Sequence, residues 1–194
     1  VTYRIILADP PWAYHSRSTW KKSNAGGGLR GDYPVMPTAE IAALPIGELA
    51  DTDAALCLWA TWPNLPDALA VMGAWGFKYR TVAFVWVKTT RRGHTFVGPG
   101  HYTRSNTEIV LLGVRGRMTP AARNVSQVVH APHPRDADGR IIHSRKPAEV
   151  REHIVALFGD VPRVEVFARE AVAGWDALGN QAPVNPVTLR PRGA

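Results

Sequence analysis

Apolar positions in this chain fall into short continuous runs separated by stretches of Pro, Gly and charge. Arg4-Ile5-Ile6-Leu7-Ala8 is followed at once by Asp9-Pro10-Pro11. Two consecutive residues without an N–H cannot continue a ladder, so the run reads as a buried strand stopped by prolines. Ala54–Ala60 is a second continuous apolar run and a second buried strand. Arg80–Lys88 is β-branched and aromatic, and Glu108–Val114, Gln127–Ala131 and Arg163–Phe167 complete the set of strands.

Between these runs the period changes. Thr38 is placed to cap a short helix over Ala39–Leu44, with Glu40 in its first turn. Leu65, Leu69, Met72 and Trp75 recur at helical spacing up to Gly76, a C-terminal stop. Pro147 opens another helix as its first residue, with Val150, Ile154, Leu157 and Phe158 on one face and Gly159 beyond it. Residues 13–37 read as a long loop containing Gly26-Gly27-Gly28, and a loop of that length is usually functional or mobile; Thr89–Arg104 is polar, basic and Gly-rich. No internal repeat is present.

Strands alternating with helices predict an α/β fold, a mostly parallel twisted sheet with helices on both faces. Residues 1–182 are expected to form one domain, and 183–194, rich in Pro and Arg, a loosely held tail. In such sheets ligands bind beyond the carboxyl ends of the strands. Asp9-Pro10-Pro11-Trp12 lies at one such end, Lys88 at another and Arg169 just past the last. Three chemically capable positions on one rim mark a candidate site.

Composition narrows the partner. The 194 residues carry a formal charge of +7 and seven Trp, a balance that favours polyanions. The single Cys57, inside an apolar run, cannot form an internal disulfide and reads as a buried core thiol in a reducing compartment. With no long apolar span and no leader pattern, the expectation is no membrane and a cytoplasmic setting. His130-Ala131-Pro132-His133 has a proline between its histidines and no clear third ligand, so no metal is expected.

The Asp-Pro-Pro-Trp segment suits an aromatic amine. The exocyclic amine of adenine is a poor nucleophile because its lone pair is delocalised into the ring. Two acceptors holding its two hydrogens would draw the nitrogen toward tetrahedral geometry. The Asp9 carboxylate and a proline carbonyl are candidates, on a turn whose dihedrals the proline rings restrict and where no local N–H competes for the carbonyls. Trp12 offers a face on which a base can stack, worth roughly 1–3 kcal/mol in single-strand binders. Most of the catalysis would be placement, with no metal or covalent intermediate. By itself the tetrapeptide also fits a strand that ends in a proline turn with a packing Trp.

Ile6-Leu7-Ala8-Asp9-Pro10-Pro11-Trp12 resembles the catalytic signature of the N6-adenine methyltransferase family that includes the eukaryotic mRNA adenosine-methylating enzymes. The likeness continues in order through Asp32-Tyr33-Pro34-Val35-Met36, Leu56–Ala60, Val85–Thr89 and Thr107–Gly116. It then runs through His143–Pro147, Val164–Arg169 and Gly174–Gln181, the last most similar to compact bacterial and phage members. Several motifs in fixed order over roughly residues 3 to 182 make the resemblance specific.

The resemblance implies a Rossmann-like methyltransferase with its catalytic motif before the main cofactor-binding strand, and S-adenosylmethionine as methyl donor. Asp9, Pro10, Pro11 and Trp12 would form the catalytic segment, Asp9 also meeting the cofactor's amine. Lys146 would pair with the methionine carboxylate, while Arg169, Asn180 and Gln181 would hold the ribose. Tyr33, Trp86, Lys88 and Glu108 would line the acceptor side.

Larger relatives carry, upstream of the first strand, a segment that helps hold the cofactor adenine, and an N-terminal RNA-binding extension. This sequence begins at Val1, so both are expected to be missing and recognition to come from loops 13–37 and 89–104 or a protein partner. DNA is the expected substrate and RNA the alternative, in a prokaryotic or phage-infected cell. Arg91, Arg92, Arg104 and Arg123, with Lys21, Lys22 and Arg30, would line a backbone groove. The competing readings are a non-catalytic binding subunit and a small-molecule methyltransferase; the presence of Asp9, Lys146, Arg169, Asn180 and Gln181 together favours activity.

Overall fold

The computed structural model describes residues 2–13, 35–100, 102–142 and 144–179. Its strands are β1 (Tyr3–Ala8), β2 (Ala50–Ala60), β3 (Lys78–Thr89), β4 (Thr107–Arg115), β5 (Val128–Pro132), β6 (Arg163–Val166) and β7 (Asp176–Leu178). They form one sheet in the order β5-β3-β4-β2-β1-β6-β7. β1 is parallel to β2 and β6, β6 to β7, and β3 to β5. β4 is antiparallel to both of its neighbours, β2 and β3.

That reversal positions the site. No crossover helix lies among the described residues between β3 and β4, so the chain returns antiparallel. The amino end of β4 therefore sits at the carboxyl ends of its neighbours, with Glu108 opposite Trp86 and Ile109 opposite Ala60. Sequence pattern identifies the strand but not its direction.

Side-chain alternation along β1 divides the core between two faces. Ile6 and Ala8 join Leu56 and Leu58 beneath α1 (Thr38–Ala43) and α3 (Leu65–Ala74), through Ile41, Val71 and Met72. Ile5 and Leu7 join Ala55, Cys57 and Trp59 beneath α4 (Ala148–Phe158), through Val150, Ile154 and Phe158. The expected helices on both faces are present. Burial pushes the Cys57 thiol up to about 12, which keeps it protonated and inert. No helix among the described residues is long and apolar enough to cross a membrane.

The boundaries differ from expectation for identifiable reasons. Thr38 is the first residue of α1 rather than its cap; Pro37 takes that place, and no side chain caps the helix. Pro147 likewise precedes α4 in an extended conformation instead of opening it. A single turn, α2 (Ile46–Leu49), feeds β2, which starts four residues earlier than the apolar run because Ala50 already pairs with Tyr3, while the polar residues 51–53 stay partly exposed. β7 is too short for any pattern to show and is specified by pairing with β6 alone.

β6 and β7 lie close together where they leave the sheet. A Cβ at Gly179 would stand 2.4 Å from the Ala168 carbonyl oxygen and 2.8 Å from its nitrogen, both backbone atoms. The Ala168 N–H donates to the Leu178 carbonyl at 3.1 Å. Gly179→Ala is expected to force the two exits apart and cost about 1–3 kcal/mol, read as a lower midpoint in thermal unfolding. An unchanged midpoint would show that the two segments separate freely.

Candidate active site

The carboxyl edge of the sheet gathers an alternating row of charges. β1 delivers Asp9, β3 delivers Lys88, the amino end of β4 delivers Glu108, and the segment before α4 delivers Lys146. Lys146 Nζ lies 3.1 Å from Asp9 Oδ1 and 3.1 Å from Glu108 Oε2. Glu108 Oε1 lies 2.7 Å from Lys88 Nζ. The four side chains are only 13–21% exposed, so solvent screens the row weakly. An aromatic floor supports it. Lys146 Nζ sits 5.4 Å from the Trp59 ring centroid and Lys88 Nζ 5.1 Å from that of Trp86. The two indoles meet edge to face at 6.2 Å.

These contacts compete with burial at three of the groups. Burial disfavours the Lys146 cation, but Asp9 and Glu108 outweigh it and raise its pKa. Burial also opposes Glu108 ionisation, yet the ammoniums of Lys146 and Lys88 prevail and hold its carboxyl below the ordinary range. For Asp9 the balance goes the other way. Burial, aided by repulsion from Glu108, raises its carboxyl despite the pull of Lys146 and Arg169. Of these three groups Asp9 is the one whose charged form burial disfavours on balance.

The proline turn is built differently from the expectation. The Trp12 N–H donates to the Pro10 carbonyl at 2.8 Å, so a local N–H does occupy one lone pair of that oxygen. A carbonyl has two, and the second is uncommitted by this bond. The Pro11 carbonyl accepts from the Met36 N–H at 2.8 Å. Trp12 is 6% exposed, and its indole N–H donates to the Trp59 carbonyl at 3.0 Å. It anchors the turn in the core and offers no open face for a base. The packing interpretation of Trp12 holds, because a ring one strand from the aromatic floor gains more by burial than by exposure.

Trp86 is also buried, its indole N–H donating to the Ala131 carbonyl at 2.8 Å, so it supports Lys88 from beneath. Arg169 follows Phe167, whose φ of 63° turns the chain at the end of β6. Ser144, two residues before Lys146, has a φ of 62°. These are the two non-glycine residues with positive φ among those described, and each lies two positions before a candidate cofactor residue. Such backbone strain is concentrated at functional sites. Tyr33, Asn180 and Gln181 lie outside the described residues, as do Lys21, Lys22 and Arg30. His133 packs edge-on against Trp86 and Phe96.

Two features of the site escaped the sequence reading. Trp59 was legible only as strand; the repeated Trp at the ends of apolar runs was the available signal. Behind the row, Arg151 of α4 holds both oxygens of Glu165 at 2.7 and 3.0 Å, and Arg145 pairs with Glu170. These pairs tie α4 and the Lys146 segment to β6.

Residues 3–181 match the family described as MT-A70. The chain belongs to the MT-A70 family. Membership makes it an S-adenosylmethionine-dependent adenine N6-methyltransferase. Among relatives of this MT-A70 chain, the type II methyltransferase M.MunI of Mycoplasma sp is 34% identical over 98% of the chain and 82% of its own length. An Arabidopsis thaliana N(6)-adenosine-methyltransferase MT-A70-like protein is 29% identical over 93% of the chain. The human N(6)-adenosine-methyltransferase catalytic subunit METTL3 is 27% identical over 92%. The chain spans only 24% and 28% of those two relatives.

Proposed function

We propose that this chain methylates the N6 amine of adenine in DNA. The observation carrying the reading is the row Asp9–Lys146–Glu108–Lys88, set beside the Pro10 carbonyl at the carboxyl edge of the sheet. Asp9 and Pro10 are the two acceptors for the amine hydrogens, and Pro11 and the buried Trp12 hold the turn rigid. S-adenosylmethionine, when bound, supplies an electrophilic methyl group on a sulfonium. The donor set fits its methionine end. Asp9 is an acceptor for the ammonium; Lys146, whose donors now face Asp9, Glu108 and the Ser144 carbonyl at 3.5 Å, would turn one toward the carboxylate, and Arg169 adds a second cation. Asn180 and Gln181 are assigned to the ribose, and Tyr33, Lys88 and Glu108 to the acceptor side, with Trp86 as support.

DNA is favoured over RNA because the relative named a type II methyltransferase aligns along most of its own length. Those named for adenosine or RNA share only about a quarter to a half of theirs. A cavity of about 310 Å³ beyond β3 and β5 sets Arg91 and Arg135 against the single carboxylate of Glu149, with His133 beside them, and its two guanidiniums suit a phosphate backbone. The test offers labelled cofactor to matched DNA and RNA pools. Label in DNA adenine is expected; label confined to RNA would overturn the choice of polymer.

The raised carboxyl of Asp9 predicts a pH dependence. Accepting from the amine requires the ionised form, so kcat/KM is expected to fall on acidification through a pKa above the ordinary aspartate range. Stability follows the opposite sign for the two acids. Glu108, with a lowered pKa, stabilises the fold above its unfolded value, and this is lost as pH falls through its folded value. Asp9, with a raised pKa, favours the fold in its protonated form, and that contribution is lost as pH rises. A rate profile with no acid limb in this range would contradict the role of Asp9.

A further inference from the structure

With Trp12 buried, the base-stacking surface must lie elsewhere, and two exposed aromatics among the described residues follow carboxyl strand ends: Tyr102, on the loop between β3 and β4, and Trp62, whose ring is tethered beside the site. Trp62 is 50% exposed, whereas Trp12, Trp59, Trp75, Trp86 and Trp175 are all 8% exposed or less. It opens the 3-10 turn Trp62–Asn64 that follows β2. Its indole N–H donates to Thr107 Oγ1 at 2.8 Å. Thr107 begins β4, immediately before Glu108. Since Ala60 pairs with Ile109, and Ala8 with Leu58, Trp62 stands just past the strand ends that carry Glu108 and Asp9.

We propose that Trp62 is the stacking platform for the nucleobase adjacent to the target adenine. A solitary exposed aromatic is ordinary and by itself signals nothing. Two features distinguish this one. The tether uses the only polar atom of the indole and leaves the ring faces for contact. It also fixes the ring before substrate arrives, so little side-chain entropy remains to be lost on binding. The tether partner is the neighbour of Glu108, which couples the platform to the acceptor side of the site.

The position selects the neighbouring base over the target itself. The target amine must meet the Asp9 carboxylate, one strand over and largely buried. A half-exposed ring at the rim lies outside that pocket. A base leaving the stack also deprives its neighbour of a partner. Trp62 restores that contact and so holds the substrate open. Base–aromatic stacking of this kind is sequence-tolerant, because every base has a π-face.

This proposal rests on the reading of the chain as a DNA adenine methyltransferase, and its test separates the two. Methyl transfer and fluorescence-anisotropy binding are measured for wild type, Trp62→Ala and Trp62→Phe. The substrates are a cognate oligonucleotide and versions with an abasic position 5′ or 3′ of the target. Trp62→Ala is expected to weaken oligonucleotide binding and raise its KM by about 5- to 150-fold. kcat and cofactor affinity should hold within about two-fold, and Trp62→Phe should retain most of the affinity. One of the abasic substrates should lose affinity with wild type and lose no more with Trp62→Ala, the signature of a direct contact. Thr107→Val, which frees the ring, should give a smaller rise in KM. Independent, additive losses at both flanks, or an unchanged KM in Trp62→Ala, would overturn the role of Trp62 while leaving the methyltransferase assignment intact. Absence of methyl transfer to any oligonucleotide by wild type would instead remove the reading on which the proposal stands.

Discussion

Asp9→Ala is expected to lower kcat for methyl transfer by about 10³-fold or more while the protein stays folded. The carboxylate is the charged acceptor at the end of β1, on the residue immediately before Pro10. Structural loss should be small because the contacts are redundant. Lys146 keeps its pair with Glu108, and the ionised Asp9 is itself disfavoured by burial. The unfolding midpoint should therefore move by only a few degrees. Asp9→Asn keeps an acceptor oxygen without the charge and should retain more activity than Asp9→Ala. Single-turnover assays and thermal unfolding of the same preparations check both halves. Wild-type turnover in Asp9→Ala would refute the assigned role.

Lys146→Ala should produce the second large effect, and it should appear first in cofactor binding. Its ammonium is shared by Asp9 and Glu108. Removing it leaves two carboxylates facing one another, balanced by Lys88 at Glu108 and by the fields of Arg169 and Arg151 at Asp9. Calorimetry is expected to show S-adenosylmethionine affinity weakened by about 10- to 100-fold, the scale of a lost charge-assisted contact. The acid limb of the rate profile should also move upward, because Asp9 loses its main opposing cation and keeps the repulsion of Glu108. Lys146→Arg should recover binding only in part, since a planar fork cannot sit between two carboxylates and an indole as a compact ammonium does. Unchanged cofactor affinity in Lys146→Ala would contradict the arrangement.

What the residues reveal before folding is uneven, and the reasons are physical. The run before Asp9 announces a buried strand, and the double proline announces its end, because both signals are local. The direction of β4 is not local. It depends on how residues 90–106 return the chain, and only that direction brings Glu108 onto the rim with Asp9. Trp12 carried a stacking expectation from its chemistry, whereas its burial follows from packing against β2. Trp62, chemically identical, stays exposed because it lies past the end of β2 with Thr107 to hold it. Nothing in the pattern separates these two tryptophans. The row of alternating charges is likewise assembled from four distant segments, and only its members, not their pairing, could be read from sequence.

The central claim is that the Asp9 site transfers a methyl group to adenine N6 in DNA. Its most direct test is mass-spectrometric nucleoside analysis of DNA incubated with S-adenosylmethionine and either wild type or Asp9→Ala. N6-methyldeoxyadenosine is expected from wild type and almost none from the variant. A methyl group on another base or ring position, or equal yields from both proteins, would contradict the claim.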